Sequence, residues 1–485
     1  MKLANFKEKR FRYGTFSTAM MLLAVLLFVF VNLLAGEFNR TWDLTEEELF
    51  TLTQQSRTFL DNELHQDVTI TMVVPTGTEE PMLVALLAEY ANAHPRITTQ
   101  LRDPMVSPAF VQGFASGMEG GVVPNHSIIV QSGTQYRVIT PDLLITAQHN
   151  QWGQVVGIQS INFERQITTA IHAVTQGEVA TVYKVLGSGE SPLAPSFVSF
   201  LETENFIVRS VDAIEILRDG IPADADILLL STPQWDWPTE KADRILAFLE
   251  NEGRAFIAAD PMYGTRLPNF DRVLAAYGIR ISDYVIMESD PRQHLMLPMF
   301  VIPQLFPDEH ITLPLAIDGR MMQLLRFPAA IEPTGMQRAS TFIEPLMITS
   351  VHAFGRVNME LESPLFHEGD DIDGGPFLMA ARITDSVFTY RNINTHIVVV
   401  GSGDIWDAAP REIVGDNNFA FVASSLRWLT GQGPGLFIPT RTPPGFAPLM
   451  LTQFDANIIA GFSMGVLPLV TLAFGVFVWF RRRHS

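Results

Sequence analysis

Two long apolar runs without a charged residue, 16–36 and 457–480, bracket a chain whose hydrophobic and polar positions otherwise follow the periods of strands and helices. The first, FSTAMMLLAVLLFVFVNLLAG, is 21 residues long. At ~1.5 Å of rise per helical residue it matches a hydrocarbon layer of ~30 Å and predicts a transmembrane helix. A cleaved signal peptide is the rival reading, but its apolar part usually covers ~7 to 15 residues, and no convincing small-x-small cleavage site follows here. Lys2, Lys7, Lys9, Arg10 and Arg12 precede this run against the single acid Glu8, while Trp479 and Phe480 close the second run before Arg481, Arg482 and Arg483. Basic flanks stay on the cytoplasmic side. The tails 1–15 and 481–485 are therefore expected in the cytoplasm of a cell (inner) membrane, with 37–456 extracytoplasmic or periplasmic.

Between the runs, 68–74 reads as a buried strand, Pro81 opens a helix, and 97–101 reads as a second strand. Strand, helix, strand implies a parallel pair. A hairpin of 127–130 and 136–139, turning at Gly133, extends it into a first domain covering 37–175. A second domain, 176–430, carries four apolar strands at 181–186, 227–230, 255–258 and 396–400. Helices at 196–204 and 239–251 lie between them, the latter gathering Ile245, Leu246, Phe248 and Leu249 on one face. The expected fold is thus α/β, two extracytoplasmic domains with largely parallel sheets and one transmembrane helix at each end.

Each of the four later strands stops at small, polar or acidic residues: Ser188 and Glu190 after Gly187, Ser231 and Thr232, Asp260, and Ser402 with Asp404. In an open parallel sheet the carboxyl ends of the strands form the crevice where ligands bind, so these residues make up the candidate ligand or partner site. From 262 to about 390 the pattern loosens into Pro- and Met-rich segments, read as irregular strands inserted in the second domain. Their methionines are expected to fill the core, an exposed docking surface being the alternative. Gly431, Gly433, Gly435, Pro443, Pro444 and Gly445 mark a linker, 431–456.

Composition removes several chemistries. Cysteine is absent, which excludes disulfides, thiolate metal sites, cysteine nucleophiles and lipoprotein acylation. Lys plus Arg number 33 and Asp plus Glu 52. Setting aside Glu8 and the basic residues of the two ends leaves a body of about −26, which disfavours nucleic acid as a partner. The histidines are scattered with no H-E-x-x-H or H-x-H pair, so no metal and no cofactor is assigned. An enzyme of amidotransferase-like or hydrolase-like layout would use Glu190, Asp260 and Asp404 as its carboxylates. Acids at strand ends are more often turn formers and caps. No G-x-S-x-G nucleophile elbow is present, and no catalytic residue is assigned.

Several segments, in order, carry a resemblance: Asp43-Leu44-Thr45 after the first apolar run, Phe163-Glu164 with Thr168-Thr169-Ala170-Ile171, and Gly187-Ser188-Gly189-Glu190. Ile221-Pro222-Ala223-Asp224-Ala225-Asp226, Asp260-Pro261, Asn417-Asn418-Phe419 and Leu426-Arg427-Trp428-Leu429 continue it. Nearly the whole chain resembles the gliding-motility-type auxiliary subunits of ABC transport systems, whose outer domain is related to an intraflagellar-transport domain. That family commonly has histidine where this chain has Ser188, and serine performs neither metal binding nor acid–base work there without a partner base. The resemblance implies a non-catalytic role beside a separate multi-span permease and a cytoplasmic ATPase. No G-x-x-x-x-G-K-[ST] sequence occurs, so ATP hydrolysis belongs to another chain. In the last apolar run Gly461, Gly465 and Pro468 form a candidate packing face for a partner's membrane helices. A scaffold or sensor without a transporter, using the same crevice, is the alternative.

Overall fold

The strand–helix–strand alternation at the start of the body folds as its periodicity implies. In the computed structural model, residues 51–473 are described apart from 116–120, 150–154, 176–178, 263, 265, 317–321, 336–337, 361–362, 388–392 and most of 432–452; before residue 51, only Met20, Met21, Leu23 and 26–28 are described. Helix α1 (Gln54–Glu63) begins where Thr53 Oγ1 accepts from the Ser56 N–H. Strand β1 (Val68–Val73) pairs in parallel with β2 (Ile97–Arg102) through α2 (Pro81–Ala93). Pro81 sits at the first turn of α2, where a missing N–H removes no helical bond. Strands β3 (Ser127–Ser132) and β4 (Gln135–Ile139) form the expected hairpin, and β3 runs antiparallel to β1. Helix α3 (Phe163–Thr175) covers β3 and β4.

Among the described residues, eight strands form a larger sheet. They are β5 (Ala180–Val185), β6 (Phe206–Val211), β7 (Ile227–Ser231), β8 (Arg254–Ala258), β9 (Gln304–Leu305), β10 (Thr341–Ile348), β11 (Leu378–Val387) and β12 (Ile393–Val400), in the order β9-β10-β11-β12-β8-β7-β5-β6. The central strands are apolar on both sides because helices cover both faces. On one face α4 (Pro195–Thr203) and α8 (Asn417–Leu429) pack Phe197, Leu201, Phe419 and Leu426 against Val182, Leu229, Phe256 and Val398. On the other, α5 (Ala213–Asp219), α6 (Thr239–Leu249) and α7 (Pro268–Ala275) bring Ile216, Ile245, Leu249 and Phe270 against Val185, Leu228, Leu230 and Ile257.

Two expectations are corrected. The sheets are mixed rather than largely parallel: β12, β8, β7, β5 and β6 run in parallel, whereas β9, β10, β11 and β12 pair antiparallel. Connection length supplies the reason, since the few residues between Val387 and Ile393 cannot form the crossover of a dozen or more that a parallel pair needs. The segment expected as an insertion, 262–390, thus supplies the antiparallel half of this sheet and a second, four-stranded antiparallel sheet of Ala329–Pro333, Ile279–Met287, Phe354–Arg356 and Asp371–Asp373.

The transmembrane helix expected at each end is likewise not supported: among the described residues no helix is long and apolar enough to cross a membrane. Helix Gln453–Gly461 gives way at Phe462–Val466 to a π turn, in which the Leu467 N–H reaches back to Phe462 O. Pro468 provides the cause, because its ring crowds the carbonyl four residues earlier and widens the preceding turn. A Cβ placed on Gly461 or Gly465 would meet nothing within 4 Å. Most of 16–36, and the tails 1–15 and 481–485, lie outside the described residues.

Residues Met1–Thr51 and Leu52–Ser485 form two separate units, and both large sheets belong to the second. Most of the linker expected at 431–456 lies outside the described residues, but Arg441 forms an antiparallel bridge to Ile161 and an ion pair with Glu164.

Candidate functional site

Strands β12, β8, β7 and β5 are parallel neighbours, so the four turns singled out from the sequence do meet along one edge of the large sheet. The first turn bends through Gly187 (φ +100) and Gly189 (φ +82), conformations that L side chains rarely adopt. A Cβ on Gly189 would also stand 2.6 Å from the Gln234 side chain. This tight turn sends Glu190 toward α6. There its Oε1 accepts from Lys241 Nζ at 2.8 Å and from Trp237 Nε1 at 2.8 Å, while Oε2 accepts from the Ser188 N–H. Burial alone would raise the Glu190 carboxyl, but the Lys241 hydrogen bond and charge hold it below the usual carboxylate range. Ser188 is buried, its carbonyl accepting from Gln234 N and its hydroxyl from Lys241 Nζ at 3.4 Å.

The other three turns are interlocked. Thr232 Oγ1 accepts from the Asp260 N–H at 2.9 Å, and Asp260 Oδ1 accepts from the Gly403 N–H at 2.7 Å. Asp404 takes Arg326 Nε on Oδ2 at 2.6 Å and the Ser402 hydroxyl on Oδ1 at 2.6 Å. Asp260 remains the exposed member. Loss of water around its carboxyl, with Asp404 and Asp407 nearby, raises it from the usual range against the pull of the Gly403 N–H and Lys184. Asp407 is raised for the same reasons, desolvation first and then the charge of Asp404.

Ser231 brings in a residue that no motif announces. Its Oγ accepts from Lys184 Nζ at 2.6 Å, and that ammonium lies 4.7 Å from the centroid of the Trp406 ring. Lys184 is fully buried. Burial pushes it down to about 8, although Glu190, Asp407 and Asp260 pull it upward. The sequence signal was a single lysine inside the apolar strand TVYKVL, at the parity of inward-facing Val182. Lys241, Trp237 and Arg326 carried no signal of this kind, since each lies far along the chain from the acid it holds. Among the described residues no group of three or more His, Asp or Glu is placed to hold a metal ion.

The edge therefore has two parts. Ser188 and Glu190 are turned inward and braced on α6, whereas Lys184, Ser231, Thr232, Asp260, Ser402, Asp404 and Asp407 line the ends of the parallel strands. No protein-family model and no curated protein matches the chain. Two of the solved structures that resemble it do so at 10% identity. The mmIFT52 N-terminal domain aligns at a TM-score of 0.38, over 52% of this chain and 97% of that one. A chain of the PurLQS structure from Thermotoga maritima aligns at a TM-score of 0.28, over 52% of this chain and 100% of that one.

Proposed function

We propose that the chain is an auxiliary subunit of an ABC transport system, binding a ligand or partner protein at the carboxyl edge of its large sheet. Passage and ATP hydrolysis then belong to a separate permease and a separate ATPase. The order of the segments from Asp43-Leu44-Thr45 to Leu426-Arg427-Trp428-Leu429 supports the transport part of this reading. One observation carries the binding part: two of the three carboxylates an enzyme would have used, Glu190 and Asp404, are already engaged in ion pairs. Glu190 is held by Lys241 and Trp237, Asp404 by Arg326 and Ser402, and Asp260 by the Gly403 N–H. An ion-paired carboxylate such as Glu190 or Asp404 braces the edge and is poorly placed to exchange a proton with a substrate.

The test is purification of the full chain from its own cells in mild detergent, followed by identification of what accompanies it. A permease and an ATPase in stoichiometric amounts are expected. A folded chain recovered without either would remove the transport reading. Glu190→Gln, Asp260→Asn and Asp404→Asn are expected to weaken folding or association, and a hydrolytic activity lost on one of them would show that these acids react.

A further inference from the structure

The binding reading leaves one feature of the edge unused, a buried lysine against a serine at the last residue of a central strand. Lys184 lies under Trp406 and donates to Ser231 Oγ at 2.6 Å. The charged groups around it, Glu190, Asp407, Asp260 and Lys241, act at longer range. An ammonium with three donors, fully buried and given a hydroxyl and a ring face, is a costly arrangement for a merely structural contact. Lysines desolvated in this way are a recurring source of general bases.

We propose that Lys184 and Ser231 form a base and nucleophile pair that cleaves small, uncharged or cationic acyl esters at this edge. Neutral Lys184 Nζ takes the Ser231 hydroxyl proton as Oγ attacks the acyl carbon, and the Oγ–C bond forms. The ammonium so produced faces the developing oxyanion. When the C–O bond to the leaving alcohol breaks, Lys184 returns the proton to the alkoxide. Water then attacks the acyl-serine, passing one proton through Lys184 to Ser231 Oγ, and a carboxylic acid leaves. Ester and water give acid and alcohol, with all protons accounted for. Burial, which lowers Lys184 to about 8, keeps a working fraction of the amine neutral near neutral pH. Asp260 and Asp407 beside the pair set the substrate's charge, since they repel anions.

This pair goes beyond the transport reading and does not rest on it. A chain that co-purifies with a permease and leaves Ser231 unreacted keeps the first and loses the second, and the reverse result does the opposite. The full chain is treated with p-nitrophenyl acetate and, separately, with a fluorophosphonate over a pH series, and the modified residues are mapped by mass spectrometry. Ser231 is expected to be the modified serine, at a rate that climbs through an inflection near the Lys184 ionisation. Ser231→Ala abolishes the modification, and Lys184→Met slows it by roughly 100-fold or more. Ser231 reacting no faster than exposed serines, or Lys184→Met reacting at the wild-type rate, overturns the proposal. If either variant fails to fold, the wild-type profile decides alone, because a rate simply proportional to hydroxide overturns it as well.

Discussion

Replacing Lys184 by methionine separates a lysine kept for its chemistry from one kept for stability. In the folded chain its ionisation falls from 10.5 to about 8, with burial as the first cause. A drop of that size corresponds to a penalty of roughly 3 kcal/mol on the charged form at neutral pH. Methionine removes the penalty and fills nearly the same volume beneath Trp406. It also removes the charged hydrogen bond to Ser231, worth about 2 kcal/mol, and the contact with the Trp406 ring, worth about 1 kcal/mol. The net expectation is a variant within about 1 kcal/mol of the parent at pH 7.

The pH dependence gives a sharper reading of the same change. Because the folded value lies below the unfolded one, the folded state binds fewer protons between about 8 and 10.5. The penalty is complete below that window and disappears as pH rises through it. Parent stability therefore gains up to roughly 3 kcal/mol relative to the variant on crossing the window. Groups that do not interact with Lys184, such as Tyr277, contribute equally to both proteins and cancel in the difference. Urea denaturation of both proteins below and above the window measures it. A variant less stable than the parent at pH 7, with a difference that does not change with pH, would refute the argument and make Lys184 a structural latch.

Three further outcomes follow from the geometry. Glu190→Gln leaves Lys241 buried and charged without its counter-ion, and should cost about 3–5 kcal/mol, read as a lowered urea midpoint. Since the Glu190 carboxyl is held below its usual value, the parent's share of that stability is present above the usual 4.5 and is lost as pH falls below it. Gly189→Ala places a Cβ 2.6 Å from Gln234 at φ +82, and should lower thermal stability by about 1–3 kcal/mol while leaving the other face of the sheet intact. Arg441→Met breaks its ion pair with Glu164, a residue that also accepts from Thr53 and Ser56 at the start of α1, and should expose 51–63 to limited proteolysis before the sheets are cut.

What the sequence made legible was local. Pro81 at a helix start, the hairpin around Gly133 and the apolar runs 227–230 and 255–258 all express short-range rules of parity, period and turn chemistry. The strand-end residues were legible as well, because parallel neighbours must bring their carboxyl ends to one edge. Pairing over distance was not. Nothing near Glu190 announces Lys241, and nothing near Asp404 announces Arg326. The antiparallel half of the large sheet was hidden because strands 341–348 and 378–387 mix Pro345, methionines and charges, so their parity is blurred. The apolar run 457–480 satisfies a length rule, but at Phe462–Val466, ahead of Pro468, the bonding departs from the α-helical pattern that the rule assumes.

The ion pairs between the two large sheets bear on how the edge could work. Arg165 on α3 lies against Phe200 and reaches both Glu204 and Asp416, Glu204 also takes Arg427, and Asp416 also takes Arg411. Except for Arg411 these charges are largely withdrawn from water, and each has a partner. Opening the junction would break both pairs of buried Arg165, at about 3–5 kcal/mol for the charge left without a partner, while Glu204 keeps Arg427 and Asp416 keeps Arg411. A hinge that closes over a ligand needs an interface that parts cheaply, and this one does not. Binding at the carboxyl edge must then proceed on a largely preformed surface, with adjustment confined to side chains such as exposed Trp235 beside Gly189. The same rigidity serves the Lys184–Ser231 pair, because a 2.6 Å contact between an amine and a hydroxyl is useful to catalysis only while the strands that carry both hold still.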